Sequence, residues 1–351
     1  MRYAFGGVRK DVAVAILSFC RPGALCLGMR APCWLIVLAL FAPTLALAHP
    51  DVTGPGPFAV GTTTITWTRT SSTTGQPRPL ATVIWYPAKP GTGTAVGGEF
   101  RDAAVLRRRW PIVLFSHGSC GIPEQSLFLT VTLASRGFVV VAPPHPGNEF
   151  TDFPACMDPA ELVDSYLNRL DDMRFVLDQI LVEDDRVGSP FRRKLDRRRI
   201  GMSGHSFGGL DTLRVAALDP RVRAALALAP ARPDLTGGRI KIPTMIEGAE
   251  RDTLAPFQTD TLAAYALLDG PRFLVEILNA GHFAFSDICA GAIFGTPDCA
   301  PGTISQDDAH HLALRYGLPF LMRYVGRTTR FNHLLKPPAV PGVMFQAEPH
   351  R

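Results

Sequence analysis

From Pro111 onward, short apolar runs alternate with longer segments in which apolar positions recur every three to four residues. The runs are 112–116, 138–142, 200–203, 224–229, 244–247 and 273–278. Most are nearly continuous in Val, Ile, Leu, Ala or Phe, as expected of a strand buried on both faces of a parallel sheet. The helical patterns cover 125–135, 161–181, 207–218, 258–268 and 307–324. This alternation predicts βαβ winding: an α/β fold with a mostly parallel central sheet and helices on both faces. Upstream, 62–68 and 80–86 alternate polar and apolar residues and predict antiparallel edge strands. The Gly-, Pro- and Thr-rich stretches 53–57 and 87–98 predict loops. In a sheet wound this way ligands bind beyond the carboxyl ends of the strands, so candidate chemistry is sought there.

The N-terminus departs from this pattern. Residues 34–47 are almost wholly apolar, and Ala46-Leu47-Ala48 precedes His49 as a small-residue cleavage pattern. The run is short for a membrane span. It predicts a signal peptide over 1–48, with Met29 as a compact alternative start, and a single domain over 49–351. A retained N-terminal anchor is the competing reading. The predicted location is therefore exported, periplasmic or secreted, with no stable membrane span after cleavage.

Charge changes meaning once the leader is set aside. Arg2, Arg9, Lys10, Arg21 and Arg30 against Asp11 supply four of the chain's net five positive charges, so the remainder is nearly neutral. That removes the main support for nucleic acid as a partner. The basic run 192–199 reads as a solvated loop before a strand. Cys20, Cys26 and Cys33 leave with the leader, and Cys120, Cys156, Cys289 and Cys299 remain. An even count in an exported chain predicts disulfides. Cys289–Cys299 is expected because the two flank one short loop, and Cys120–Cys156 then follows by exclusion. No C-x-x-C pair is present and the histidines are scattered, which argues against zinc.

The strongest chemical signal is Gly204-His205-Ser206-Phe207-Gly208, a G-x-S-x-G at the junction of the run 200–203 and the helical pattern 207–218. A serine at such a strand-to-helix turn is held outward above the sheet. A serine hydroxyl needs a neighbouring base, usually histidine, and the histidine needs a carboxylate to fix its tautomer. Of the nine histidines, His282 follows both Ser206 and a plausible acid, at the end of the last apolar run, where Gly281 would allow a sharp turn. Two acids compete. Asp252 sits in a turn directly after 244–247 and before Pro256, whereas Asp234 is separated from its strand by Pro230 and Pro233. Asp252 is preferred. His205 is expected to be structural beneath the turn, His117 to brace a loop, and His310 and His311 to be surface or packing residues. The backbone N–H groups of Phe207 and Ser119 are the expected oxyanion donors, the latter from the loop after 112–116.

Ser116-His117-Gly118, Gly204-His205-Ser206-Phe207-Gly208-Gly209 and the His282 loop resemble the α/β-hydrolases related to platelet-activating-factor acetylhydrolase, whose bacterial members are called dienelactone-hydrolase-like. The segment 242–256 is more similar to bacterial cutinases and polyester hydrolases, whose catalytic acid falls at the Asp252 position. The likeness runs from about Leu80 to Val325. It implies the α/β-hydrolase fold and an exported serine esterase working through a Ser206–His282–Asp252 triad. It implies no metal or organic cofactor, and a small-molecule or lipid-like ester as substrate. Three departures matter. No carboxylate ends the strand 224–229, which disfavours the acetylhydrolase acid. The nucleophile is Ser206, not the cysteine of dienelactone hydrolases. Ser119 and the 230–234 region lack the aromatic residues that clamp polymers in polyester hydrolases. A peptidase or amidase on the same fold is the alternative, and a silent binding protein would need a broken triad.

Overall fold

The structure, a computed structural model, describes residues 51–233, 238–289, 295, 296, 298 and 301–349. The expected leader and the alternative acid Asp234 lie outside them, as does Cys299, on which the expected Cys289–Cys299 bond depends.

The parallel core follows the sequence pattern. β5 (Trp110–Ser116), β6 (Val139–Ala142), β7 (Leu195–His205), β8 (Ala224–Leu228), β9 (Thr244–Ala249) and β10 (Arg272–Ile277) pair in parallel in the order β6-β5-β7-β8-β9-β10. Side chains alternate between the two faces. Val113, Phe115 and Val140 pack with Leu129 and Leu133 of α1 (Leu127–Ser135) and with Leu314 and Leu318 of a long C-terminal helix. Their neighbours Ile112, Leu114 and Val139 pack on the opposite face with Met173, Val176 and Ile180 of α2 (Pro159–Glu183). Neither cluster alone could cover both sides of a strand made of Val, Ile and Leu, so helices lie on both faces.

The nucleophile-bearing turn leads from β7 into α3 (Phe207–Leu218), and α4 (Leu262–Ala266) and α5 (Gln306–Tyr324) follow. A turn of π-helix over Phe257–Thr261 precedes α4, so the pattern expected as one helix over 258–268 is divided.

Three readings are corrected. β1 (Ala59–Thr70) and β2 (Pro77–Ala88) are antiparallel but not at the edge. β3 (Thr94–Val96) and β4 (Glu99–Arg101) extend the sheet beyond β1, and β11 (Val343–Glu348) pairs antiparallel outside β10. These strands were missed because three-residue or solvent-facing strands carry little period-two signal. β3 also places a strand inside the expected loop 87–98. The basic run 192–199 is not all loop: β7 begins at Leu195, and Arg197 and Arg199 are held by Asp184, Asp185 and Asp196.

One core residue makes the fold pH-sensitive. Glu247 on β9 is fully buried against Gly317 of α5, and no charged group faces its carboxyl among the described residues. Burial pushes its carboxyl well above the usual carboxylate range. The folded protein therefore keeps a proton that the unfolded chain releases above about pH 4.3. The protonated carboxyl favours the folded state below that pH, and the advantage falls as pH rises toward the folded value, by up to about 1.4 kcal/mol per pH unit. Glu247→Gln should gain in Tm over the parent as pH is raised from 4.5 to 8. Parallel melting curves across that range would mean that Glu247 is charged in the folded protein.

Candidate active site

Every residue singled out for catalysis that lies among the described residues sits at the carboxyl end of the parallel strands. Ser206 follows β7 with φ 57° and ψ −117°, a strained conformation for a non-glycine residue. The strain is sustained by crowding. A Cβ on Gly208 would lie 1.9 Å from the Ser116 carbonyl oxygen, and one on Gly204 would lie 2.3 Å from that of Gly208. The turn is also anchored, with the Ser206 N–H donating to Leu228 O (2.9 Å) and the Ser206 carbonyl accepting from Ala231 N (3.0 Å). The N–H of Phe207 opens α3, where no residue four positions earlier is available as a helical acceptor.

His282 lies past β10, buried, and its Nδ1 is 2.7 Å from Asp252 Oδ2. The other oxygen of Asp252 accepts from Leu254 N (2.9 Å) and Ala255 N (2.8 Å). Three partners thus fix that carboxylate after β9, and Asp252 is the acid that meets His282. The neighbouring Gly281 is extended, at φ −104° and ψ −170°, so a sharp turn is not what demands glycine there. A Cβ would lie 2.1 Å from Asp298 Oδ1, the same oxygen that accepts from Phe283 N (2.8 Å). Close approach of Asp298 is the reason.

Ser206, His282, Phe207 and Ser119 line one cleft of about 340 Å³. Its walls include Met157, Leu162, Leu210, Leu254 and Phe283, and none of its lining residues is an acid, lysine or arginine. Gln125 holds the cleft's floor: its Oε1 accepts from Gly118 N (2.8 Å), and its amide nitrogen meets His205 Nδ1. The Gly118 amide is therefore engaged, which leaves the next amide, that of Ser119, as this loop's candidate donor. His205 is buried under the turn, with Nε2 3.0 Å from the His282 carbonyl. The Nδ1 of His117 meets Gly118 O at 2.7 Å. Burial drives both imidazoles well below their usual pKa, so they are neutral. His310 stacks on Phe128 with ring centroids 4.0 Å apart, and His311 Nδ1 meets Thr53 Oγ1 at 2.9 Å.

Cys120 and Cys156 are disulfide-bonded with Cα atoms 5.6 Å apart. The bond ties the loop bearing Ser119 to the segment bearing Met157. Among the described residues no group of three or more His, Cys, Asp or Glu could hold a metal ion. No helix there is long and apolar enough to cross a membrane.

Beneath the site lies a buried polar network that the sequence reading missed. Asp172 of α2 receives Arg69 (2.6 Å), Arg78 (3.0 Å) and His145 Nδ1 (3.0 Å). His145 Nε2 meets Ser116 Oγ at 3.0 Å, and Ser116 Oγ donates to Asp211 Oδ2 at 2.9 Å. Burial, reinforced by Arg169, pushes His145 down to about 3. Burial alone would raise the Asp172 carboxyl, but the hydrogen bonds of His145 and Arg78 and the charge of Arg78 hold it below the usual range. A signal was present: Ser165, Asn168, Arg169 and Asp172 recur at helical spacing on the same α2 that buries Met173 and Val176, and polar residues at buried helix positions require partners.

The chain is similar to several known ester hydrolases. The PETase family model, described as PET hydrolase-like, matches residues 118–341. The chain is 27% identical over 241 residues to Cutinase est1 of Thermobifida alba, covering 68% of this chain and 69% of that one. It is 26% identical over 265 residues to the bis(hydroxyethyl) terephthalate hydrolase of Streptomyces coelicolor, covering 75% and 68%. Among solved structures it resembles a ferulic acid esterase from Streptomyces cinnamoneus, with a TM-score of 0.67, 25% identity and coverage of 85% of this chain and 99% of that one.

Proposed function

This chain belongs to the PET hydrolase-like family and is a serine ester hydrolase of α/β-hydrolase fold, and we propose that Ser206, His282 and Asp252 carry its chemistry. Ser206 Oγ attacks the ester carbonyl carbon while His282 takes the hydroxyl proton. The carbonyl oxygen becomes an oxyanion facing the N–H groups of Phe207 and Ser119. The C–O bond to the alcohol then breaks, and His282 returns the proton to the departing alkoxide. Water, deprotonated by His282, releases the acid from Ser206. Asp252 keeps the proton of neutral His282 on Nδ1, which leaves Nε2 as the base. The observation that carries this reading is the 2.7 Å contact between His282 and Asp252 beside the cleft that also contains strained Ser206.

The apolar, uncharged cleft favours neutral esters with an apolar acyl or aromatic portion. The sequence pattern of 34–48 supports export after removal of 1–48, with one domain over the rest. The Cys120–Cys156 bond fits an oxidising compartment. A panel of p-nitrophenyl esters from acetate to palmitate, run beside anilides of the same acids, tests the reading. Ester turnover without anilide turnover is expected. Faster cleavage of the anilides would return the peptidase or amidase alternative, and no turnover of either would favour a binding protein.

A further inference from the structure

What holds the Ser119 amide toward the cleft is not in the cleft. The peptide joining Gly118 to Ser119 is planar and trans in the ordinary way, so its C=O and N–H point in opposite directions. Whatever fixes the Gly118 carbonyl therefore aims the Ser119 N–H. That carbonyl accepts from Arg169 Nη2 at 3.1 Å, beside His117 Nδ1 (2.7 Å) and Gly121 N (3.2 Å), and the preceding one, of His117, accepts from Arg169 Nη1 at 2.6 Å. The Arg169 guanidinium lies beneath the loop, is fully buried and reaches it from α2. Its planar fork engages two successive carbonyls, a geometry that the single ammonium of lysine does not supply. The same guanidinium stacks over the ring of Phe207, 4.7 Å from its centroid, and Phe207 bears the other donor. One cation thus touches Phe207 and the peptide group that carries the Ser119 amide.

Arg169 is itself fixed on the remaining sides. Its Nε donates to Ser165 Oγ (2.9 Å), Nη2 to Asn148 Oδ1 (2.7 Å), and Nη1 to Asp211 Oδ2 and Ser116 Oγ (3.3 Å each). Asn148 completes the link by donating from Nδ2 to Ser119 Oγ (3.1 Å) and to Cys156 O (2.8 Å). Removing a buried charge costs little water exposure but strips several partners at once, so this assembly is rigid or absent.

We propose that Arg169 is a positioning residue for the oxyanion hole, with Asn148 as its relay to Ser119; this rests on the assignment of the Ser119 and Phe207 amides as the donors. Arg169 touches neither substrate nor the reacting atoms. It sets the direction of one donor and the seat of the other, and a positive charge beneath two polarised carbonyls strengthens the N–H groups beyond them.

The test compares Arg169→Gln, Arg169→Lys and Asn148→Ala with the parent in kcat, KM and affinity for an alkylboronic acid, which mimics the tetrahedral intermediate. Circular dichroism checks folding. Loss of one oxyanion donor costs on the order of 10²–10³ in turnover. Arg169→Gln should fall in kcat by on the order of 10², with KM within about threefold and boronate affinity reduced in parallel. Arg169→Lys should rescue little of this, because it keeps the charge and loses the fork. Should neither Arg169 variant fold, Asn148→Ala decides, with an expected loss on the order of tenfold in kcat and in boronate affinity. A folded Arg169→Gln with parental kcat would overturn the inference, as would a fall in kcat with unchanged boronate affinity. Folded Asn148→Ala with both quantities unchanged would do the same where the arginine variants fail. Ser206→Ala serves as the control: if it is inactive while Arg169→Gln is fully active, only the positioning role falls, and if it remains active, the underlying assignment falls with it.

Discussion

Ser206→Ala is expected to remove ester hydrolysis almost completely while leaving the protein folded. Loss of a triad nucleophile costs on the order of 10⁴–10⁶ in turnover, with the residue of activity coming from binding and the oxyanion donors. The fold should survive because the turn is held by backbone groups: the Ser206 N–H bonds Leu228, and the Ser206 carbonyl bonds Ala231 and Leu210. The positive φ of 57° belongs to the backbone and persists with alanine in place, so the strain is not relieved. Thermal melting beside ester turnover separates the two effects. A folded variant that keeps most of its activity would remove Ser206 from the mechanism.

Asp252→Asn should lower turnover by roughly 10⁴, because an amide facing His282 Nδ1 favours the wrong imidazole tautomer. The substitution is nearly isosteric, and Oδ1 can still accept from the Leu254 and Ala255 amides, so binding of substrate should change far less than kcat. Asp234→Asn should leave turnover close to the parent's. Steady-state kinetics of the two variants side by side decide between the acids. A collapse in Asp234→Asn with a healthy Asp252→Asn would make Asp234 the charge partner of His282 and reverse the acid assignment.

Much of the architecture was legible because its signal is local. β5, β6 and β8 are nearly continuous apolar runs, and α3 begins and ends where the periodicity of 207–218 does. The candidates Ser206, His282 and Asp252 stood out because each follows such a run within a few residues. The edge strands were not, since β3 and β4 have three residues each and owe their pairing to β1, not to their own composition. Gly281 shows a subtler limit. A glycine in sequence suggests a turn, but here the backbone is extended and the demand comes from Asp298, seventeen residues on in sequence. The Arg169 network was unreadable for the same reason: its partners Ser116, His117, Asn148 and Asp211 come from three separate segments, and only the polar interruption of a buried helix face marked it. Polar groups buried far apart in sequence are chosen for each other, and pattern along the chain does not carry that choice.

The central claim is that a covalent acyl-enzyme forms on Ser206. Its most direct test is to react the protein with a p-nitrophenyl alkylphosphonate, which traps the attacking oxygen as a stable ester, and to map the adduct by peptide mass spectrometry. The account predicts one phosphonate per protein, on Ser206, with loss of ester turnover in step with labelling. An adduct on another residue, or complete inactivation with Ser206 unmodified, would contradict it.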